Sequence, residues 1–485
     1  MIHKYNLGGF KIVIDVNSES VHIVDDLTYD ILDNLTEPFG GELSTENSGK
    51  LASENSSEIS DNSVGNNFGK IPGELPAEIK AKLLPHYGET DLVECYGEIK
   101  ELAQAGQLFS GGVAAAIYTE INTPIKSMCL NVAHTCNMHC SYCFAEKVVG
   151  ENSLMSFEVG KAAIDFLISK SESRKNLEID FFGGEPLLNW TVVKNLVAYG
   201  REQEKIYDKH INFTLTTNCI LLDDEKIDFI NKEIYNIVLS IDGREEVHNR
   251  VRKSKTSYEQ IVENAKKLIA ARELQTENNE YYIRGTFTKH NLDFADDVYA
   301  LYDFGFKNIS IEPVVCKEDT DFAITEAELA TIFKEYERLA ERLIKSAEKG
   351  EDINFFHFNL DLENSSCLFK RIKGCGCGLE YIAVTPNGDI YPCHQFVEKD
   401  RYLLGNVLKN DYKKCEEFFD SNIFTKHDCK ECWAKFHCCG GCDANNFEFT
   451  GDIKTPNRLY CELMKKRLEC AYMIKARTSA ERIFA

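Results

Sequence analysis

The sequence predicts an α/β protein. A six-fold β/α repeat, forming an open barrel or a doubly wound sheet, lies between an N-terminal winged-helix-like module and a C-terminal cysteine-rich region. Three observations carry this. Residues 124 to 320 alternate six strand-like runs with helical patterns, as parallel sheets do. Residues 1 to 115 hold two short β runs and three helical stretches. Of 19 cysteines, 12 follow residue 365, in a region with few long periodic segments. Such a region depends on bound metal more than on a large apolar core.

Composition excludes several classes. At 485 residues and 43% hydrophobic, the chain has apolar material for two to four domains. A net charge of -23 repels phosphate backbones and anionic lipid, which argues against nucleic acid and membranes as partners. No apolar run reaches the ~20 residues of a membrane span. The opening MIHKYNLGGF lacks the features of a signal peptide. The expected location is cytoplasmic, where cysteines serve as thiols or metal ligands rather than disulfides.

The N-terminal module reads as a hairpin of Phe10 to Asp15 and Val21 to Val24, bent at Asn17 to Ser20. Asp26 is the expected cap of a helix from Leu27 to Leu35. Residues 41 to 70, dense in Ser, Asn, Glu and Gly, bury too little to offset ordering entropy and read as a flexible insert. Helices follow at Ala77 to Leu84 and Thr90 to Ala105.

Barrel strands are expected at Ser127 to Ala133, Leu177 to Phe182, Ile211 to Thr216, Asn236 to Ile241, Tyr281 to Thr288 and Asn308 to Pro313. Several are near-continuous apolar or β-branched runs, as in strands covered on both faces. Chemistry then belongs at their C-terminal ends. Residues 321 to 364 form a helical bridge around Glu326 to Lys349, and 365 to 485 form the cysteine-rich domain.

The first strand leads into AHTCNMHCSYCFAE. Cys136, Cys140 and Cys143 follow C-x3-C-x2-C spacing on a loop where an active site is expected. Three thiolates suit a [4Fe-4S] cluster and leave one iron open. An open position separates a reactive metal site from a structural one. The blander alternative is zinc completed by His134 or His139. Here the sequence resembles the radical S-adenosylmethionine (SAM) enzymes. The resemblance extends to Phe181-Phe182-Gly183-Gly184-Glu185-Pro186, Thr216-Thr217-Asn218 and Ser240-Ile241-Asp242-Gly243, with Arg250 and Arg252 beyond, each at a strand end. It implies SAM contacts from Tyr142, Gly183, Gly184, Glu185, Asn218, Ser240, Asp242 and Arg252. The plainer readings are a tight turn for the glycines and a helix cap for Asp242. Cys219 stands where many relatives have Gly.

The late cysteines run Cys429-x2-Cys432-x5-Cys438-x3-Cys442, then Cys461, with Cys375-Gly376-Cys377 and Cys393 upstream. This resembles the SPASM domain of peptide-modifying radical SAM enzymes, which holds two auxiliary [4Fe-4S] clusters, giving three clusters in all. The resemblance implies a distal cluster on Cys429, Cys432, Cys438 and Cys461. It implies a proximal one on Cys393, Cys442 and an upstream Cys375, Cys377 or Cys367, either fully ligated or with an open iron for a substrate thiolate. A zinc ribbon would explain Cys429, Cys432, Cys438 and Cys442 but not the upstream set.

The N-terminal module resembles leader-binding domains that receive a peptide as an added strand, here beside Val21 to Val24. Nearly the whole chain resembles the maturases of SCIFF peptides (six cysteines in forty-five residues). That implies thioether formation between Cys sulfur and a Thr-like acceptor in a ribosomally made precursor peptide, with a small electron donor such as ferredoxin or flavodoxin as a second partner. The rivals are a sulfatase-maturing enzyme, which usually has Asp where His394 stands, and a zinc-binding scaffold without catalysis. No catalytic side chain is assigned.

Overall fold

The computed structural model describes residues 1–35, 71–112, 123–145, 153–275, 280–360, 367–409 and 411–484. The insert expected at 41 to 70 lies outside them. The chain forms two compact units, Met1–Ile117 with Tyr472–Ala485, and Tyr118–Ala471. The end of the long C-terminal helix, Arg458–Phe484, thus belongs with the N-terminal unit.

The first unit holds a three-stranded antiparallel sheet of β1 (Ile2–Leu7), β2 (Phe10–Asp15) and β3 (Val21–Val24), with β2 central. The hairpin expected from sequence is its second half. β1 was missed, although Gly8-Gly9 marks the turn: both take positive φ, as a two-residue hairpin loop requires. β3 is an edge strand with one side unpaired within the sheet. Helices Asp26–Leu35, Ala77–Leu83 and Glu89–Gln104 bury Ile31, Leu32, Leu92, Tyr96 and Ile99 against Val13 of the sheet. The first helix is capped one residue earlier than expected: Thr28 N–H donates to Asp25 Oδ1 at 2.8 Å.

In the second unit, β4 (Ser127–His134) is followed by the short β5 (His139–Cys140) and β6 (Ser153–Leu154). Then come β7 (Asn176–Gly183), β8 (His210–Thr217), β9 (Asn236–Ser240), the short β10 (Arg252–Lys253), β11 (Glu280–Phe287) and β12 (Asn308–Pro313). The parallel order is β4-β7-β8-β9-β11-β12, so the six long strands run consecutively. A doubly wound sheet would reverse at a switch point. Winding in one direction is the open-barrel arrangement. β13 (Asn354–Phe355) extends it beyond β12.

The C-terminal region adds strands of its own. β14 (Tyr381–Val384) pairs in parallel with β4, and β15 (Asp389–Tyr391) and β16 (Gly405–Asn406) continue antiparallel. Glu380 anchors this join. Its buried carboxylate pairs with Lys126 at 2.8 Å and with Arg174, and its carbonyl accepts from Ser127 N–H.

Most barrel strands are less uniformly apolar than expected. β4 is buried throughout, but β7, β8 and β11 alternate. Leu177, Ile179 and Phe181 are fully buried, while Asp180 and Phe182 lie on the opposite face. That face carries polar groups: Thr214 Oγ1 donates to Asp180 at 2.8 Å, and Arg284 stands 3.5 Å from Glu312. Burial raises the Asp180 carboxyl to about 6.

Candidate active site

Each candidate group sits at or just after the C-terminal end of a parallel strand. After β4 the chain turns through Cys136 into β5, where Cys140 pairs with Arg252 of β10. Ser141 N–H donates to Val251 O at 2.8 Å, and Cys143 N–H to Cys140 O at 3.1 Å. Met138 N–H donates to Cys136 Sγ at 3.4 Å. Burial, reinforced by the neighbouring thiols and Glu185, pushes Cys136 up to about 12. Burial pushes Cys140 to about 11, against the opposing charge of Arg252. Thiols crowded in this way stay protonated until a cation replaces the protons.

The two glycines serve a close approach, as expected, but of chain to chain. A Cβ on Gly183, whose φ is 126°, would lie 2.2 Å from Ala133 O. One on Gly184 would lie 2.1 Å from Thr135 O and 3.2 Å from Cys136 Cβ. Gly184 and Glu185 N–H donate to those carbonyls at 2.7 and 2.9 Å. The loop after β7 is thereby pressed against the cysteine loop.

Glu185 is 1% exposed. Its Oε1 accepts from Leu187 N–H at 3.1 Å and Thr217 Oγ1 at 2.8 Å, and its Oε2 from Asn218 N–H at 2.8 Å. Burial still raises its carboxyl to about 7. Asn218 Nδ2 donates to Asn137 Oδ1 at 2.8 Å, tying the β8 end to the cysteine loop. Cys219 has a φ of 67°, the left-handed region that explains why Gly suits this position.

Asp242 is fully buried. Its Oδ2 accepts from Tyr142 OH at 2.6 Å and Arg252 Nε at 2.9 Å, and its Oδ1 from Thr286 N–H at 3.0 Å. It is not a helix cap: the helix Glu245–Val251 begins after Arg244. Ser240 ends β9, and its backbone N–H faces the Cys219 thiol.

The late cysteines gather in two groups. Cys429, Cys432, Cys438 and Cys461 lie within electrostatic range of one another. Burial, then the charges of its neighbours, raises Cys429 to about 12 and Cys461 to about 11. Cys375, Cys377, Cys393 and Cys442 form the second group; a hydrogen bond from Cys377 lowers Cys393. Cys367 is exposed. Of the cysteines outside these groups, Cys95, Cys129 and Cys470 are buried, whereas Cys316 and Cys415 are half-buried. Among the described residues, no three His, Cys, Asp or Glu side chains converge tightly enough for one metal ion. Four thiols in each group are a donor set that an iron–sulfur cluster or a zinc ion would take.

His394, beside Cys393, packs on Phe182 at 4.9 Å and Phe144 at 5.4 Å between ring centroids, and Tyr381 OH lies 3.1 Å from its Nδ1. Burial, aided by Arg284, lowers it to about 4, leaving it neutral at pH 7. Sequence reasoning named Thr217 within a strand-end motif but gave it no role, and missed Asn137 and a buried ion group of Lys373, Lys426 and Asp443. Only their nearness to cysteine or strand-end motifs could have signalled them.

Residues 130–290 match the model of the Radical SAM superfamily. These residues form a radical SAM domain, and the chain is an enzyme. It is 22% identical to the radical SAM cyclopropyl synthase TigE of Paramaledivibacter caminithermalis over 379 residues, 71% of this chain and 74% of that one. It is 23% identical to the cysteine-type anaerobic sulfatase-maturating enzyme of Clostridium perfringens over 377 residues, 72% of this chain and 96% of that one. The structure of Streptococcus suis SuiB bound to S-adenosylmethionine resembles it over 94% of this chain and 98% of that one, with a TM-score of 0.52 at 15% identity, a likeness of fold. No helix among the described residues is long and apolar enough to cross a membrane.

Proposed function

We propose that this enzyme installs thioether cross-links, Cys sulfur to the carbon of a Thr-like acceptor, in a ribosomally made cysteine-rich precursor peptide. One observation carries the reading: a small sheet with an unpaired edge strand, β3, occurs in the same chain as a three-cysteine strand-end loop and two further four-cysteine groups. The edge offers main-chain hydrogen bonds to a leader segment.

In this reading Cys136, Cys140 and Cys143 hold one [4Fe-4S] cluster. Cys429, Cys432, Cys438 and Cys461 hold a second, and Cys393, Cys442, Cys375 and Cys377 a third. The first would supply the electron, delivered by ferredoxin or flavodoxin, that cleaves SAM and so starts hydrogen removal from the acceptor carbon; the other two would take the single electron released when the C–S bond closes and the Cys thiol gives up its proton. Glu185 presents a buried carboxylate to the SAM amine, whose N–H groups would favour the ionised form of a carboxyl that burial raises to about 7. Gly183, Gly184, Asn218 and Ser240 line the approach. Tyr142, Asp242 and Arg252 act by holding the cysteine loop in place. Neutral His394 faces the aromatic pair Phe144 and Phe182 between the first and third cysteine groups.

The second reading is oxidation of a Cys or Ser to formylglycine, favoured by the match over 96% of the C. perfringens enzyme. His394, where those enzymes usually have Asp, stands against it. Co-expression with a cysteine-rich precursor peptide, followed by mass spectrometry, decides. The loss of two hydrogens per bridge, with one thiol consumed each time, supports cross-linking. An unmodified peptide, together with formylglycine in a sulfatase-derived peptide, supports the alternative.

A further inference from the structure

Between the two late cysteine groups lies an ion group that the proposed chemistry does not use. The side chains of Lys373 and Lys426 are each 1% exposed, and that of Asp443 is 5% exposed. Lys373 Nζ is 2.7 Å from Asp443 Oδ2, and Lys426 Nζ is 2.6 Å from Asp443 Oδ1. Ser421 Oγ donates to the same carboxylate at 3.0 Å. Lys373 also donates to Ser421 O at 2.7 Å, and Lys426 to Gly440 O at 2.8 Å. Gly440 makes room for the lysine, since a Cβ there would lie 2.8 Å from Lys426 Cδ.

Lysine is almost never fully buried unless it is paired. Here two ammonium groups share one carboxylate, so one positive charge is left over in the interior. The remaining contacts of the lysines are the neutral Ser421 and Gly440 carbonyls and, for Lys373, the Phe418 ring, which solvate that charge without cancelling it. Burying an uncompensated cation is costly, so an anion is required nearby. The chain itself places the anions. Lys373 lies two residues before Cys375, Asp443 directly follows Cys442, and Lys426 lies three residues before Cys429. Gly440, which holds Lys426, stands between Cys438 and Cys442. Lys426 lies within electrostatic range of Cys429 and Cys438, and Lys373 of Cys375.

We infer that Lys373, Asp443 and Lys426 form the shared counter-charge of the two late cysteine groups and raise the reduction potentials of the clusters held there. This rests on the proposal that both groups hold clusters. A thiolate-bound cluster becomes more negative on reduction, so a fixed cation beside it stabilises the reduced state. One ion group touching both segments biases both clusters together.

The test uses the full chain with Cys136, Cys140 and Cys143 all replaced by Ala, reconstituted anaerobically so that only the late clusters remain. Iron analysis comes first: about eight irons per chain are expected for two cubanes. Two zinc ions or no iron would refute the cluster reading itself, before the lysines are tested. EPR-monitored redox titration of Lys426→Met should then show the midpoints lowered, with at least a tenfold change in the ratio of oxidised to reduced cluster at fixed potential, 59 mV for a one-electron couple. Asp443→Asn should shift them the opposite way. Lys426→Arg, which keeps the charge, should leave them near the parent value. Unchanged midpoints in Lys426→Met at full iron content would overturn the inference, as would shifts of the same sign in Lys426→Met and Asp443→Asn. If Lys426→Met loses iron while Lys426→Arg retains it, the midpoints of Asp443→Asn decide: a rise upholds the inference, and no rise overturns it. Loss from both would overturn it, because shape and not charge would then be what the site needs.

Discussion

Replacing Asp242 with Ala tests how the cysteine loop is held. Asp242 accepts from Tyr142 OH, Arg252 Nε and Thr286 N–H and is fully buried. The Arg252 side chain is 11% exposed, so its charge would lose its partner with little water to replace it. Breaking a buried pair by removing one member costs about 3–5 kcal/mol. The β5–β10 ladder is two residues long on each strand and cannot absorb that. The expected outcome is local opening: Arg252 swings outward, β10 leaves Cys140, and the spacing of the three thiols is lost. Hydrogen exchange at the Ser141 amide, which donates to Val251 O, reads the opening directly. SAM cleavage by the reconstituted chain should fall with it. Arg252→Met in the same background removes the stranded charge and should recover part of the protection, with a coupling of about 1–3 kcal/mol between the two sites. Unchanged exchange at Ser141, or a coupling below about 0.5 kcal/mol, would refute the claim that this ion pair holds the loop.

Replacing Cys136, Cys140 and Cys143 together by Ala should abolish deoxyadenosine formation from SAM while iron remains in the late groups; continued cleavage would remove the loop from the reaction. Gly184→Ala places a methyl 2.1 Å from Thr135 O and should lower both iron retention at the loop and SAM cleavage, with a strain of about 1–3 kcal/mol or more visible in urea unfolding. Glu185 rises from an ordinary 4.5 to about 7, so the folded state keeps a proton that the unfolded chain has released. The stability this contributes is complete below about pH 4.5 and is lost as pH rises through 7. Glu185→Gln should remove that part of the pH slope, on the order of 3 kcal/mol in apo-protein urea melts, and an unaltered slope would contradict it. Deleting residues 1 to 110 should weaken peptide binding but spare uncoupled SAM cleavage. Since Tyr472–Ala485 belongs with the N-terminal unit, the deletion is best made with that segment also removed.

Much of the fold was legible because its signals are local. Six apolar runs at β/α spacing located all six long strands to within one or two residues. Ser156, Ser257 and Asp223 each accept a helix N-terminal N–H, though none of the three was read as a cap. The missing pieces depend on distant partners. β1 needs its pairing with β2, and the short strands β14 to β16 need the edge of β4 beside them. The polar face of β7, β8 and β11 was hidden for a related reason: Thr and Val share a β-branched shape, so Thr214 and Thr216 read as apolar strand when their side chains lie on the polar face. The lysines on Asp443 left no sequence signal beyond their nearness to the cysteines, because nothing in Lys373 or Lys426 shows that burial will place them on one carboxylate.

The site motifs keep the same order in space as in sequence, and the sheet explains why. In a run of consecutive parallel strands, each C-terminal end arrives next to the previous one, about 4.8 Å further along the sheet. The cysteine loop leaves β4, the Gly183-Gly184-Glu185 turn leaves β7, Asn218 leaves β8 and Asp242 leaves β9, so each meets its neighbour without a long connection. The hydrogen bonds record this order: Gly184 and Glu185 bind the β4 loop, Asn218 binds Glu185 and Asn137, and Asp242 returns through Tyr142 and Arg252 to close around Cys140. Reversing the order of any two strands would separate these partners by at least one strand width. The spacing of short motifs along this chain is therefore readable as chemistry only because the sheet winds in a single direction.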